Sequence, residues 1–181
     1  MRTLTPAEVL EQFVASNDAF LDALVPLDDD GWSTIAESPA GHVSIRLLAF
    51  HALWDSWIHE RDIALPLGLE AVEEPDEIES CLQYAAAIGP VLLIGDRESL
   101  ATEAGVLATE PHVGFTLEVR ESVVVRAATP PAHIPCLRGP AVALVEALSV
   151  RAPLPADAPF EWRQLVKSLA TVFDHDDGPD T

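Results

Sequence analysis

Basic residues are scarce in this sequence, and their scarcity excludes several classes of partner. The 181 residues include 10 lysines and arginines against 30 aspartates and glutamates, for a formal charge of −20 at pH 7. Nucleic-acid phosphates and anionic lipid headgroups are bound by clustered Lys and Arg side chains. We therefore predict neither a nucleic-acid surface nor a membrane-binding surface.

Long hydrophobic runs and closely spaced cysteines are lacking as well. Every apolar run is interrupted by His, Asp or Pro before the roughly 18 residues that a bilayer-spanning helix needs. The N-terminal Met-Arg-Thr-Leu-Thr-Pro contains no apolar signal region, so we expect a soluble protein of the cytoplasm. Cys81 and Cys136 lie far apart in apolar contexts, which favours two buried thiols over a disulfide or a metal-binding pair.

Hydrophobic residues make up 49% of the chain, which is ample for a core. In the N-terminal half they recur with helical spacing, and Thr5 followed by Pro6 is typical of a helix start. We predict helices over residues 5–25, 43–64 and 76–93. The third should bend at Gly89-Pro90, where proline interrupts the hydrogen-bond ladder. Residues 28–41 are interpreted as a loop between the first two helices.

The C-terminal half changes to extended patterns. Alternation of apolar and polar residues predicts strands over 114–120 and 122–127, and a short strand over 133–138. Pro135 confines the last of these to a sheet edge or to a strand end. Helices are expected over 140–148 and 161–173. The expected fold class is α+β, with a helical part over residues 1–98, a small α+β domain over 99–174 and a disordered tail over 175–181.

One stretch of the middle helix concentrates the side chains that carry chemistry. This polar stripe consists of His51, Asp55, His59 and Asp62. Steps of four, four and three residues place the stripe within an arc of roughly 80° on one helix face. Its neighbours in the sequence are mostly large and apolar, and two imidazoles with two carboxylates are costly to bury unless they pair or bind something. The polar stripe is the best candidate site in the sequence.

Residues four apart on a helix can both reach a single metal ion. Asp55 with His59 forms such a pair, and His51 with Asp55 forms another. Imidazole together with carboxylate suits zinc or another first-row divalent ion. Positions eight apart are about 12 Å from each other along the helix, so at least one further ligand must come from elsewhere.

A purely structural interpretation competes with the metal site. Asp-x-x-x-His pairs are common on helices, and His59 and Asp62 could simply form hydrogen bonds within a helical bundle. In that case Asp62 is expected to pair with Arg61 or Arg46.

A family resemblance favours the metal site. Residues 55–62, Asp-Ser-Trp-Ile-His-Glu-Arg-Asp, with a Pro-Leu-Gly stop at 66–68, resemble the third-helix motif of the mycothiol-dependent maleylpyruvate isomerase family. That family belongs to the DinB-like superfamily of metal-dependent four-helix bundles, and residues 137–153 are similar to its α+β C-terminal domain. The resemblance implies that Asp55 and His59 are divalent-metal ligands and that Asp62 supports them. His51 is then expected as a third ligand or as a general base.

The chain departs from the family in two ways. Asp55 stands where the family has a longer Glu, which can shift or weaken metal binding. Members of the family begin with two further bundle helices, the second of which carries a metal-binding His. The expectation is either a start inside a longer reading frame or a half bundle that a second copy of the chain completes, as a homodimer.

The resemblance implies a metal, most simply zinc, that lowers the pKa of a low-molecular-weight thiol. The thiolate would attack a small electrophilic substrate, with thiol transfer or cis-trans isomerisation as the result. Mycothiol is the implied thiol, and an actinobacterial cytoplasm the implied setting. The alternative is a non-enzymatic, oligomeric binding or regulatory protein with a degenerate metal site.

Overall fold

The computed structural model describes residues 4–38, 41–95, 101–167 and 169, with the backbone alone at 38, 41–43 and 95. The chain divides into two compact units, Met1–Ala49 and Phe50–Thr181. The tail expected to be disordered, 175–181, lies outside the described residues. So does the segment 96–100, where the sequence suggested a domain boundary.

The first unit opens with a long helix whose start matches the prediction. Helix α1 spans Pro6–Leu24, and Thr5 forms a capping box with Glu8. The predicted loop over 28–41 is wrong, because the segment holds the short helix α2 and most of an antiparallel strand pair. Helix α2 spans Asp29–Ser33, β1 spans Ile35–Ser38 and β2 spans Gly41–Ser44. The Asp28 carboxylate caps α2, accepting from Gly31 N at 2.9 Å.

The middle helix, α3, spans Ile45–Ala64 and carries the polar stripe. It starts two to three residues later than predicted, because β2 occupies the residues before it. A short 3₁₀ turn, Leu65–Leu67, follows, and Gly68 ends it at a φ of +70°, a left-handed conformation that glycine adopts without steric cost.

Helix α4 spans Pro75–Gly95 and is continuous through Pro90. It is part of the core of the second unit, and its fully buried residues include Cys81 and Leu82. Residues Pro75–Ile94 are long and apolar enough to cross a membrane by length and composition alone. However, 56% of its most apolar window is buried within the fold, as in the core helix of a soluble protein.

A mixed four-stranded sheet completes the α+β fold. The strands are β3 (Thr102–Thr109), β4 (His112–Val119), β5 (Val123–Ala127) and β6 (Cys136–Gly139), in the order β5-β4-β3-β6. Strand β6 lies at a sheet edge, as Pro135 predicted, and pairs parallel with β3. In β4 alternate residues are buried, which confirms the half-buried strand.

Two further helices pack with α4 and the sheet. Helix α5 spans Ala141–Leu148 and contacts α4, β3 and β6, whereas α6 spans Phe160–Leu165 and contacts α4. The helix predicted over 161–173 is confirmed over Phe160–Leu165, and most of the residues beyond 167 lie outside the described part. The fold class is α+β, and α4, α5 and the sheet share one core.

Candidate functional site

The whole polar stripe lies in the second unit, on the part of α3 that follows Phe50. Its members are less buried than their apolar sequence neighbours suggested. The exposed fraction of the side chain is 63% for His59, 50% for Asp55 and 43% for Asp62. Because water solvates these groups, their position does not by itself demand a bound partner. Whether they can bind a ligand depends on the distances and hydrogen bonds between their polar atoms.

The imidazole of His59 lies between two carboxylates of its own helix. Its Nε2 is 3.5 Å from Asp55 Oδ1, and its Nδ1 is 3.3 Å from Asp62 Oδ2. Both carboxylates can only accept a hydrogen bond when ionised, but of the two contacts it is the one between Nδ1 and Asp62 that has hydrogen-bond geometry, so we assign the hydrogen of a neutral imidazole to Nδ1. In a neutral imidazole the Nε2 lone pair then faces Asp55.

Arg151 holds Asp62 from outside the helix. Its Nη1 donates to Asp62 Oδ2 at 3.0 Å, and its Nη2 donates to Asp62 Oδ1. These bidentate hydrogen bonds keep the pKa of Asp62 below its ordinary value, so this carboxyl stays ionised at neutral pH. The expectation that Asp62 would pair with Arg61 or Arg46 is wrong.

Arg61 is instead buried in a separate set of contacts. Its Nη1 donates to Glu73 at 2.7 Å, its Nε donates to Glu146 at 2.9 Å, and its guanidinium lies 4.6 Å from the ring centroid of Trp57. Burial opposes its charge, but the two carboxylates outweigh burial and raise the pKa of Arg61. Glu146 also accepts from Arg151 Nε at 2.9 Å. A continuous chain of polar contacts therefore runs from Asp55 through His59, Asp62, Arg151, Glu146 and Arg61 to Glu73.

An unusual backbone conformation delivers Arg151 to this chain. Val150 has a φ of +59°, in the left-handed region that β-branched residues avoid. Helix α5 ends there in a Schellman motif: Arg151 N donates to Glu146 O at 2.9 Å, and Val150 N to Ala147 O at 3.2 Å. The motif turns the chain so that Arg151 reaches both Glu146 and Asp62.

His51 takes a different partner from the rest of the stripe. Its Nδ1 is 2.7 Å from the hydroxyl of Tyr84 on α4, and its ring lies 5.8 Å from that of Trp54. Trp54 donates from Nε1 to Ser149 Oγ at 2.9 Å, so its N–H is used. Within the described residues no group of three or more His, Cys, Asp and Glu side chains is placed to share a metal ion. Both cysteines are free thiols, with Cys81 buried and Cys136 partly buried.

Asp55 and His59 nevertheless fit two adjacent positions around a divalent ion. Ligand bonds of about 2.1 Å at a tetrahedral angle separate two ligand atoms by roughly 3.4 Å. The separation of Oδ1 and Nε2 is 3.5 Å. The hydrogen bond from Nδ1 to Asp62 selects the tautomer whose Nε2 is free to bind, which is the usual carboxylate–histidine support of a metal ligand.

Sequence reasoning missed Tyr84, Glu146 and Arg151. Tyr84 offered a signal, because it is the one tyrosine of the chain and lies among apolar residues at helical spacing. A buried phenol usually finds a hydrogen-bond partner, so a second polar group beside it could have been expected. Glu146 and Arg151 gave no comparable signal.

Comparison of the chain with protein-family models, with curated proteins and with solved structures finds no match. The resemblance of residues 55–62 to the maleylpyruvate isomerase motif therefore stays a prediction.

Proposed function

We propose that Asp55 and His59 bind a divalent metal ion, zinc first among them, and that the chain is a mycothiol-dependent maleylpyruvate isomerase-like protein. The observation that carries the proposal is the 3.5 Å separation of Asp55 Oδ1 and His59 Nε2, with the other imidazole nitrogen held by Asp62. Thiol transfer, or thiol-assisted isomerisation of a small electrophile, is the corresponding reaction class.

The residues of the chain have distinct tasks in this proposal. Asp55 and His59 supply two ligand atoms, and Asp62 holds the Nδ1 hydrogen of His59. Arg151 keeps Asp62 ionised and in position. When bound, a divalent metal with open coordination positions lowers the pKa of a low-molecular-weight thiol. Mycothiol and an actinobacterial source rest on the resemblance of residues 55–62 to the family motif.

Two protein ligands leave room for others. The half-exposed side chains of Asp55 and His59 leave the ion open to water, thiol or a further ligand. The shorter Asp arm, where the family has Glu, makes weak binding a specific expectation. Loss of the support from Asp62 should weaken binding by a further factor of about 10 to 100.

Metal content tests the proposal. The purified chain, dialysed to equilibrium against a buffer of known free zinc concentration, should hold close to one divalent ion per chain above the level of the buffer, measured by inductively coupled plasma mass spectrometry. Asp55→Ala and His59→Ala should lose it, whereas the matched control His112→Ala, at an exposed histidine on β4, should keep it. Equal metal content in the His59→Ala and His112→Ala variants would contradict the proposal.

One observation favours the non-enzymatic, oligomeric alternative. No residue of α1 is buried, and its apolar stripe is largely exposed. The exposed members are Val9 at 52%, Leu10 at 63%, Phe13 at 61%, Val14 at 49% and Leu21 at 57%. An apolar helix face of this kind is typical of an interface, and a second copy of the chain is the partner we propose.

Light scattering coupled to size exclusion tests this alternative. The wild-type chain should elute as a dimer, and Phe13→Glu, in the middle of the apolar stripe, should be monomeric. Glu11→Gln, which leaves that stripe intact, is the matched control. A dimer without stoichiometric metal favours the binding protein, whereas a dimer with metal lost in His59→Ala favours the enzyme. A monomeric wild-type chain would contradict self-association.

A further inference from the structure

The pair formed by His51 and Tyr84 lies next to the proposed metal ligands but is not used by them. Tyr84 Oη and His51 Nδ1 are 2.7 Å apart, and only 8% of Tyr84 is exposed. Burial, with a smaller effect from the negative charge of Asp55, raises the pKa of Tyr84, so the phenol keeps its hydrogen. His51 precedes Asp55 by four residues on α3, one helical turn, so the pair adjoins the Asp55–His59 site along the same helix face.

The direction of this hydrogen bond follows from burial. If His51 donated from Nδ1, the phenolic hydrogen of Tyr84, a residue that is 8% exposed, would have no protein acceptor among the described residues, which is unfavourable. If Tyr84 donates, its hydroxyl is satisfied and His51 Nδ1 accepts. A neutral His51 then carries its hydrogen on Nε2.

His51 and His59 thus present opposite groups on the same helix face. His59 donates from Nδ1 to Asp62 and offers the Nε2 lone pair beside Asp55. With Tyr84 as the donor across the 2.7 Å contact, a neutral His51 accepts at Nδ1 and carries its donor hydrogen on Nε2. A nitrogen that carries a hydrogen is neither a metal ligand nor a general base, so the two roles expected for His51 do not suit this tautomer.

We propose that His51 is a hydrogen-bond donor to a carbonyl oxygen of the small electrophile, and that Tyr84 is the positioning residue that fixes its tautomer. The role rests on the proposed function, because the electrophile is the substrate of the Asp55–His59 site. When a thiolate adds to a carbon–carbon double bond conjugated to that carbonyl, a C–S bond forms and the π electrons move to the oxygen. The Nε2–H of His51 stabilises the resulting enolate. Collapse of the enolate re-forms the double bond and expels the thiolate.

The tautomer can be read directly in the metal-free chain. Long-range ¹H–¹⁵N spectra of ¹⁵N-labelled protein at a pH where His51 is neutral should assign its hydrogen to Nε2. Tyr84→Phe should shift His51 toward a mixture of tautomers and leave His59 unchanged as the internal control. An Nδ1–H tautomer of His51 in the wild-type chain would overturn the proposal. Since no metal is needed, failure of zinc binding at Asp55 and His59 does not affect this result.

Binding of a carbonyl probe tests the donor role. Pyruvate, titrated into the metal-free chain at 0.15 M salt or above to screen the negative charge, should shift the His51 Nε2 resonance. The amide nitrogen of Gln can replace Nε2–H, whereas that of Asn replaces the other ring nitrogen. His51→Gln should therefore retain affinity within about threefold, and His51→Asn should lose about tenfold or more. Equal losses in the two variants, or no shift of His51 in the wild-type chain, would refute the donor role.

Discussion

Glu146 joins two arginines, and we expect loss of its charge to destabilise the second unit. Its Oε1 accepts from Arg61 Nε and its Oε2 from Arg151 Nε, both at 2.9 Å. The exposed fraction of the side chain is 20% for Glu146 and 10% for Arg61, so water replaces these contacts poorly. In Glu146→Gln the amide nitrogen must face one of the two guanidiniums, donor against donor.

The size of the destabilisation depends on the partners that Arg61 and Arg151 keep after the substitution. A hydrogen bond to a charged group contributes about 1.5–3 kcal/mol, and breaking a fully buried ion pair costs about 3–5 kcal/mol. Here Arg61 keeps Glu73, a carboxylate that is 44% exposed, and Arg151 keeps Asp62. The remaining partners reduce the penalty. We expect Glu146→Gln to lower the free energy of unfolding by about 2–3 kcal/mol.

Urea denaturation followed by far-UV circular dichroism measures this change. The slope of the free energy of unfolding against urea concentration should stay constant, while the urea concentration at the midpoint of unfolding falls. Glu70→Gln, at an exposed carboxylate, is the control and should change stability by less than about 0.5 kcal/mol. A double-mutant cycle with Arg61→Met should give a coupling energy of at least about 1 kcal/mol. If Glu146→Gln is as stable as the control, the ion pairs around Glu146 contribute nothing and the reasoning fails.

Two further predictions concern the backbone at Val150 and the buried thiol of Cys81. Val150→Gly should raise the free energy of unfolding by about 0.5–1 kcal/mol. Glycine removes about 1–2 kcal/mol of strain from the left-handed conformation at residue 150. Part of this gain is lost because glycine also gives the unfolded chain more conformational freedom. Val150→Ala is the control for loss of the side chain. A higher unfolding temperature for Val150→Ala than for Val150→Gly would contradict the inference that Val150 is strained. Burial, with a smaller effect from the charge of Glu77, raises the pKa of Cys81 from 9.0 to about 12. The neutral thiol is thus favoured in the fold, and this stabilisation is complete below pH 9 and lost as pH rises from 9 toward 12. The free energy of unfolding, measured between pH 9 and 11, should fall less steeply with pH in Cys81→Ala than in wild type. The two slopes should differ by up to about 1.4 kcal/mol per pH unit. Equal slopes would exclude a linked buried thiol.

Local sequence signals accounted for much of the fold. The capping box at Thr5 and the apolar spacing of α3 and α4 predict the ends of these helices to within a few residues. The alternation of apolar and polar residues in β4 predicts a half-buried strand. Strand β3 was not predicted, although it is central in the sheet. It pairs antiparallel with β4 along its whole length, across a Glu110-Pro111 connection that lacks the Gly or Asn typical of a hairpin turn. Its parallel pairing with β6, roughly thirty residues later in the chain, has no local signature. The antiparallel pair of β1 and β2 was missed because its segment was interpreted as a loop.

In the candidate site, too, the sequence predicts the local arrangement but not the contacts made by the tertiary fold. Spacing alone places Asp55 four residues from both His51 and His59, and so makes the two histidines equivalent as ligands. Their roles diverge through contacts that spacing does not encode: Tyr84, 33 residues from His51, and Arg151, 89 residues from Asp62. One contact puts a hydrogen on Nε2 of His51, and the other holds the carboxylate that leaves Nε2 of His59 free. The pattern on a helix therefore determines which side chains share a face, whereas the tertiary fold determines which nitrogen each of them offers.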